Sequence, residues 1–329
     1  MSKSDGSKKT WDILARARRV AGESSRVRID AGAVNQAARD ICDRAITVPA
    51  WDTFCHYGGE PEKRVGYLLI LDSINFCFWP ASGHDKWRIE YQSRVLSGYF
   101  ALAASLKRAI EGGIPITSAD YLERLSCDQF NEIVSGRGEL QLVEQRVRIL
   151  NDVGRILLTH YSGNAYRLVE TSGNSAVDLV LRVAEEFPSF QDAAEYEGGR
   201  VPVLKRAQIF AADLYGAFGG KDWGFFFDME RLTAFADYKL PQVLRQLGVL
   251  EYGSDLAAKV DNRILLPSGS PEEVEIRANT LWAVELIRQE LEQRGKKLRA
   301  FELDWILWNM SKQEQYQKRP HHRTVTIFY

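Results

Sequence analysis

Apolar residues recur at spacings of three and four along most of the chain, the period of helices that bury one face. This pattern predicts helices over 34–45, 87–111, 119–133, 142–160, 175–186, 203–218, 238–250, 272–294 and 299–315. Thr117 or Ser118 and Asn174 or Ser175 stand where N-caps are needed. In "FADYKLPQVLRQLGVL" (235–250), Pro241 suits a first helical turn, and Leu240, Val243, Leu244, Leu247 and Leu250 repeat behind it. Asp237 lies at the start of that helix, where the dipole favours negative charge. Strand signals are few. "VGYLLILDSINFCFW" (65–79) is β-rich and interrupted at Asp72 and Ser73, which predicts two short strands or a strand and a bend, and the closing "TVTIFY" alternates. The expected fold is mainly α, with a small sheet pairing an early hairpin with the C-terminal strand. The Gly/Pro stretches "EGGIPITS", "YEGGRVPV" and "LLPSGSPEE" read as helix connections. Residues 11–329 are therefore expected to form one α-rich domain, after a polar, disordered tail over 1–10.

Composition narrows the possible partners. The 329 residues are 45% hydrophobic and 26% charged, with formal net charge −1, so no global field attracts a polyanion. Cys42, Cys55, Cys77 and Cys127 lack metal-binding or redox spacing, which points to reduced thiols and no zinc site. The first residues lack a signal-peptide core, and no run of eighteen apolar residues occurs. A soluble, cytoplasmic, monomeric protein is expected.

The familiar catalytic motifs are absent: there is no GxSxG, P-loop or HExxH. What remains are polar residues in aromatic company. His56 in "FCHYGG" suits either a hydrogen-bonded structural role or a site. In "FELDWILWNM", helical spacing puts Asp304, Trp305, Trp308 and Asn309 on adjoining faces, a combination suited to a flat, partly cationic ligand or to the edge of a core helix. Lys205 and Arg206 open a helix, where cations oppose the dipole unless an anion docks there. His321, His322 and Arg323 precede the last segment.

Several segments together resemble a known family. "LDSINFCFW", "GIPITSADYLERLSCDQ", "LVEQRVRILNDVGRILL", "VPVLKRAQIFAADLYG", "FADYKLPQVLRQLGVLEY", "EVEIRANTLWAVELIR", "DWILWN" and "HHRTVTIFY" occur in the order seen in queuosine salvage proteins, the queuosine 5'-phosphate N-glycosylase/hydrolase family. The resemblance runs from about residue 30 to Tyr329. It implies an enzyme that hydrolyses the N-glycosidic bond of queuosine 5'-monophosphate, with a fold like the helical DNA glycosylases of the helix-hairpin-helix type. It places the catalytic carboxylate on Asp237 and base-binding roles on His56, Phe235, Asp304, Trp305 and Asn309. This chain departs from the family pattern at Trp305, where relatives carry Tyr, and at Asn309, where they carry Asp. Lys205 and Lys239 are the candidates for the 5'-phosphate, with the turn at Asn174 and Ser175 in reserve. The reaction requires no metal or organic cofactor. The expected partner is a small nucleotide, with no direct nucleic-acid or membrane binding. A glycosylase acting on a polynucleotide and a non-catalytic binder of a modified base are the competing readings.

Overall fold

A computed structural model describes residues 11–329; the tail expectation for 1–10 lies outside the described residues. Among those residues the helices are α1 (Ile13–Glu23), α2 (Ala31–Asp43), α3 (Pro61–Ser73), α4 (Tyr99–Glu111), α5 (Ala119–Glu123), α6 (Cys127–Ile133) and α7 (Val143–Tyr161). They continue with α8 (Ala165–Glu170), α9 (Ala176–Glu186), α10 (Lys205–Ala217), α11 (Lys239–Gln246), α12 (Ser254–Asp261), α13 (Pro271–Gln293) and α14 (Ala300–Met310). The fold is mainly α, and among the described residues its strands form three two-stranded antiparallel ribbons, with isolated bridges such as Leu265–Arg323 beside them. These pair β1 (Val27–Ile29) with β6 (Leu250–Tyr252), β2 (Arg88–Tyr91) with β3 (Arg94–Ser97), and β4 (Ala193–Tyr196) with β5 (Gly199–Pro202). No helix among the described residues is long and apolar enough to cross a membrane.

The sheet expected between an early hairpin and the C-terminal strand does not form. Residues 65–73 belong to α3, and every residue from Val65 to Ser73 is buried. A helix enclosed on all sides presents a continuous apolar run, which period alone does not separate from a buried strand. Pro61 and Glu62 in its first turn are the helix signals that decide the matter. α3 ends in the core, so its last carbonyls need buried donors. Arg206 bonds the carbonyls of Asp72 (3.3 Å) and Ser73, while Arg146 bonds those of Ile74 and Phe76 (2.5 Å). The closing segment does return to this neighbourhood, as irregular chain: the Cys77 amide donates to the Tyr329 carbonyl at 2.9 Å.

Two expected helices are also interrupted. Residues 88–97 form a hairpin because Gln92 and Ser93 both adopt positive φ, the geometry of a tight ribbon turn, and α4 begins only at Tyr99. The 119–133 helix breaks into α5 and α6, and Ser126 and Gln129 restart it with a reciprocal capping box. α11 stops at Gln246 and hands the chain to β6.

One core cluster extends from Ile13 to Tyr329. α13 packs on α1 and α2, and α10 packs on α3 and α9. Arg277 of α13 ties several of these parts together. It pairs with both carboxyl oxygens of buried Asp192 (2.7 Å each) and donates Nε–H to the Ala236 carbonyl at 3.0 Å. Asp192 Oδ2 also accepts the backbone amide of Lys205 and so caps α10. A single ion pair thereby fixes the start of α10 against the loop that carries Asp237.

Candidate active site

A cavity of about 710 Å³ opens where α10, α14, the start of α4, the 49–56 loop and the 235–239 segment meet. Asp237, His56, Phe235, Asp304, Trp305, Asn309, Lys205 and Lys239 all line it, so these eight residues converge on one site, whereas Arg206 and His322 stay outside its lining. The reserve position does not: Ser175 caps α9 through the Asp178 amide and bonds Asp228, away from the cavity lining.

Asp237 is buried, and its Oδ1 accepts the amides of Lys239 (2.7 Å) and Leu240 (2.9 Å). These are orphan donors of the first turn of α11, so the helix N-terminus holds the carboxylate in place. Its other oxygen makes no hydrogen bond among the described residues, on a side chain that lines the cavity. Two residues earlier, the Phe235 amide donates to Asp304 Oδ1 at 2.7 Å, joining the loop to α14. Burial pushes the Asp304 carboxyl well above the usual carboxylate range; the Phe235 amide opposes this and the nearby Asp237 charge reinforces it.

α10 contributes a face of Lys205, Ile209 and Asp213, spaced four apart. The Lys205 ammonium donates to the Asn75 carbonyl at 3.3 Å. Burial lowers its pKa, while Asp237 and Asp72 favour the charged form. Arg206 and Arg277 also bear on Lys205, and Lys239 has a cation of its own nearby. Burial lowers its pKa against the pull of Asp237, and Lys86 lowers it further. Arg323 and Lys239 in turn both bear on His321, whose ring lies 4.7 Å from that of Tyr238. Lys86, His321 and Arg323 also line the cavity.

The aromatic walls come from several elements. Trp305 packs edge-on to Phe301 at 5.2 Å, and the Trp51 ring lies 4.3 Å from His56. Gly216 makes room for this: a Cβ there would stand 2.7 Å from Trp51. Asn309 is less available than its position suggests. Its amide donates to the Trp305 carbonyl (2.9 Å) and its oxygen accepts from Lys312 (2.7 Å). Lys312 lies over Trp308 and Phe100, and burial lowers its pKa to about 8.

His56 is likewise fully engaged, with Nδ1 2.6 Å from the Asp52 carbonyl and Nε2 2.8 Å from Tyr99 Oη. Burial lowers its pKa to about 4. Tyr99 Oη in turn stands 2.9 Å from Asp213 Oδ2. Sequence reasoning passed over Tyr99 and Asp213. The available signal was an acid on the mostly apolar face of "KRAQIFAADLYGAF", eight residues after Lys205.

The family model described as queuosine salvage protein matches residues 55–329. The chain belongs to the queuosine salvage protein family. It is 46% identical over 317 residues to a protein of Sphaerobacter thermophilus named queuosine 5'-phosphate N-glycosylase/hydrolase, covering 96% of this chain and 97% of the relative. Relatives of the same name from Mus musculus (38% over 328 residues, 95% and 97% covered) and Schizosaccharomyces pombe (32% over 320 residues, 92% of each) are similar over nearly their whole length. The match to the queuosine salvage family takes in every cavity residue predicted from the sequence, from His56 to Asn309.

Proposed function

We propose that this chain hydrolyses the N-glycosidic bond of queuosine 5'-phosphate, releasing queuine and ribose 5-phosphate. The observation that carries this reading is a carboxylate, Asp237, fixed by two helix amides inside an aromatic-walled cavity, in a chain whose relatives bear that enzyme's name over nearly their whole length. Breaking a C1'–N bond builds positive charge on the ribose, and a preorganised carboxylate stabilises that charge without reorganising. Asp237 takes this role. Queuine is a 7-deazaguanine with carbon in place of N7, so assistance to its departure comes at the six-membered ring instead.

Phe235 and Trp305 stack on the flat base. Asp304 receives the cationic side-chain amine of queuine: an arriving cation draws its raised pKa down and turns it into a charge-assisted acceptor. The phosphate meets Lys239, with Lys86 and Arg323 on the same cavity wall, and Lys205 supports the carboxylates beside it. His56 contributes its ring face and its hydrogen-bond chain, because both ring nitrogens already have partners. The helix-rich fold accords with a helical glycosylase, and the near-zero net charge with a small nucleotide substrate instead of a polynucleotide.

Incubation of the purified protein with queuosine 5'-phosphate, followed by chromatography for free queuine, tests the reading. Release of the base at a rate proportional to enzyme concentration is expected. Tight binding of the nucleotide without release would instead mark a binding protein.

A further inference from the structure

The hydrogens of the His56–Tyr99–Asp213 chain can be counted. The Asp52 carbonyl only accepts, so His56 Nδ1 carries a hydrogen. Two contacts remain, Nε2 to Tyr99 Oη and Oη to Asp213 Oδ2, and each needs one hydrogen. The tyrosine hydroxyl supplies only one. The other is therefore either on Asp213, with Tyr99 donating to a neutral His56, or on His56 Nε2, with Tyr99 donating to an Asp213 carboxylate. Both arrangements hold the same number of protons and the same net charge, and they interconvert through the phenol. All three side chains line the cavity, and Asp213 Oδ1 has no hydrogen-bond partner among the described residues.

We propose that His56, Tyr99 and Asp213 form a one-proton relay opening into the cavity, and that Asp213 is the acid that protonates the departing base; this rests on the hydrolysis proposed above. In the step, the C1'–N bond breaks and its electron pair goes to the base. The Asp213 carboxyl turns its O–H from Tyr99 Oη toward the base, that O–H bond breaks, and its proton passes to an acceptor nitrogen or oxygen of the ring. Tyr99 then turns its hydroxyl from His56 to the new Asp213 carboxylate, and the Nε2–Oη contact stays without a hydrogen until Asp213 is reprotonated. Water adds its oxygen to C1', its released proton leaves by way of Asp237 to solvent, and a solvent proton restores Asp213. The chemistry needs such an acid because a deazaguanine cannot be protonated at position 7.

The surroundings of Asp213 keep it in the acid form. Asp72 and Tyr67 face it from α3, Tyr99 from α4, Asp304 from α14 and Lys205 from its own helix. Burial raises its pKa to about 7, against the opposing effects of the Tyr99 hydrogen bond and the Lys205 charge. The neighbouring Asp72, fully buried, is pushed up as well, by burial first and by Asp213 second.

Wild-type release of queuine from queuosine 5'-phosphate is measured first, so a failure of the functional reading is seen before any variant is made. Asp213→Asn should then lower kcat on the nucleotide about a hundredfold, the lower range for a lost general acid, while retaining queuine binding. On 4-nitrophenyl ribofuranoside 5-phosphate, whose phenolate leaves without a proton, the same variant should stay within about threefold of wild type. The wild-type kcat should fall on an alkaline limb near pH 7. That limb should vanish in Asp213→Asn and move to higher pH in Tyr99→Phe, because the phenol hydrogen bond lowers the pKa of Asp213. Equal losses on the two substrates, a wild-type kcat in Asp213→Asn, or an unmoved limb in Tyr99→Phe would each overturn the proposal. If Asp213→Asn does not bind queuine, the Tyr99→Phe profile decides alone.

Discussion

Replacing Asp237 with asparagine removes a charge while leaving its shape. Oδ1 accepts two amides from the start of α11, and an asparagine must aim its carbonyl oxygen at them, since its NH2 would oppose two N–H groups. The cap survives, so Tm should move by only a few degrees. What is lost is a negative charge facing an oxocarbenium-like ribose, and in its place the amide NH2 faces the cation. At about 4 Å and an effective dielectric constant of about 20, that attraction is worth about 4 kcal/mol. Each ~1.4 kcal/mol is tenfold in rate, so kcat should fall about a hundred- to a thousandfold, with KM little changed because the charge develops only in the transition state. Steady-state release of queuine, read by chromatography beside calorimetric binding of queuine, measures both effects. Asp237→Ala is the stability control: it orphans the two amides and should cost about a further 1 kcal/mol of folding free energy. A folded Asp237→Asn protein that turns over within about fivefold of wild type would refute the assignment of transition-state stabilisation to this carboxylate.

Asp304→Asn keeps an acceptor for the Phe235 amide but removes the charge, and should weaken queuine by about 1.5–3 kcal/mol while leaving a 7-deazaguanine without the aminomethyl arm nearly unaffected. Equal calorimetric losses for the two ligands would mean that Asp304 only supports the loop. Lys239→Met should depress kcat/KM for the 5'-nucleotide about ten- to a hundredfold and spare queuosine itself. In Lys205→Met, whose ammonium sits among Asp237 and Asp72, the two substrates should lose together, and an unchanged nucleotide preference in Lys239→Met would remove that lysine from phosphate binding. Stability should also respond to pH. Asp213 titrates near 7 when folded against an ordinary 3.8, so the folded state binds the extra proton between these values, and its stabilisation is complete below about 4 and lost as pH rises through 7. Denaturant titrations of Asp213→Asn should lack this decline relative to wild type, and parallel pH profiles for the two proteins would contradict a buried neutral acid.

The helical pattern was legible because most helices bury one face and leave another in water, so α7, α9, α10 and α13 appear in the sequence within a few residues of their true bounds. α3 was not, because burial on every side removes the contrast that reveals a helix and leaves the β-branched content of "VGYLLILDS" to mislead. The turn at Gln92 and Ser93 depends on two positive φ angles that neither residue type announces. Asp237 stood out in the sequence by its neighbours, and Asp304 by its indoles, but the sequence gives neither their separation nor the state of the Asp304 carboxyl. The amides that hold Asp237 lie two and three residues along the chain, whereas the Phe235 amide on Asp304 and burial deep enough to shift that carboxyl are tertiary. The relay shows the limit most clearly. His56, Tyr99 and Asp213 lie 43 and 114 residues apart along the chain, and a shared proton is a property of three atoms meeting within hydrogen-bond reach, which only the meeting of the first residue of α4 with α10 and the 49–56 loop brings about.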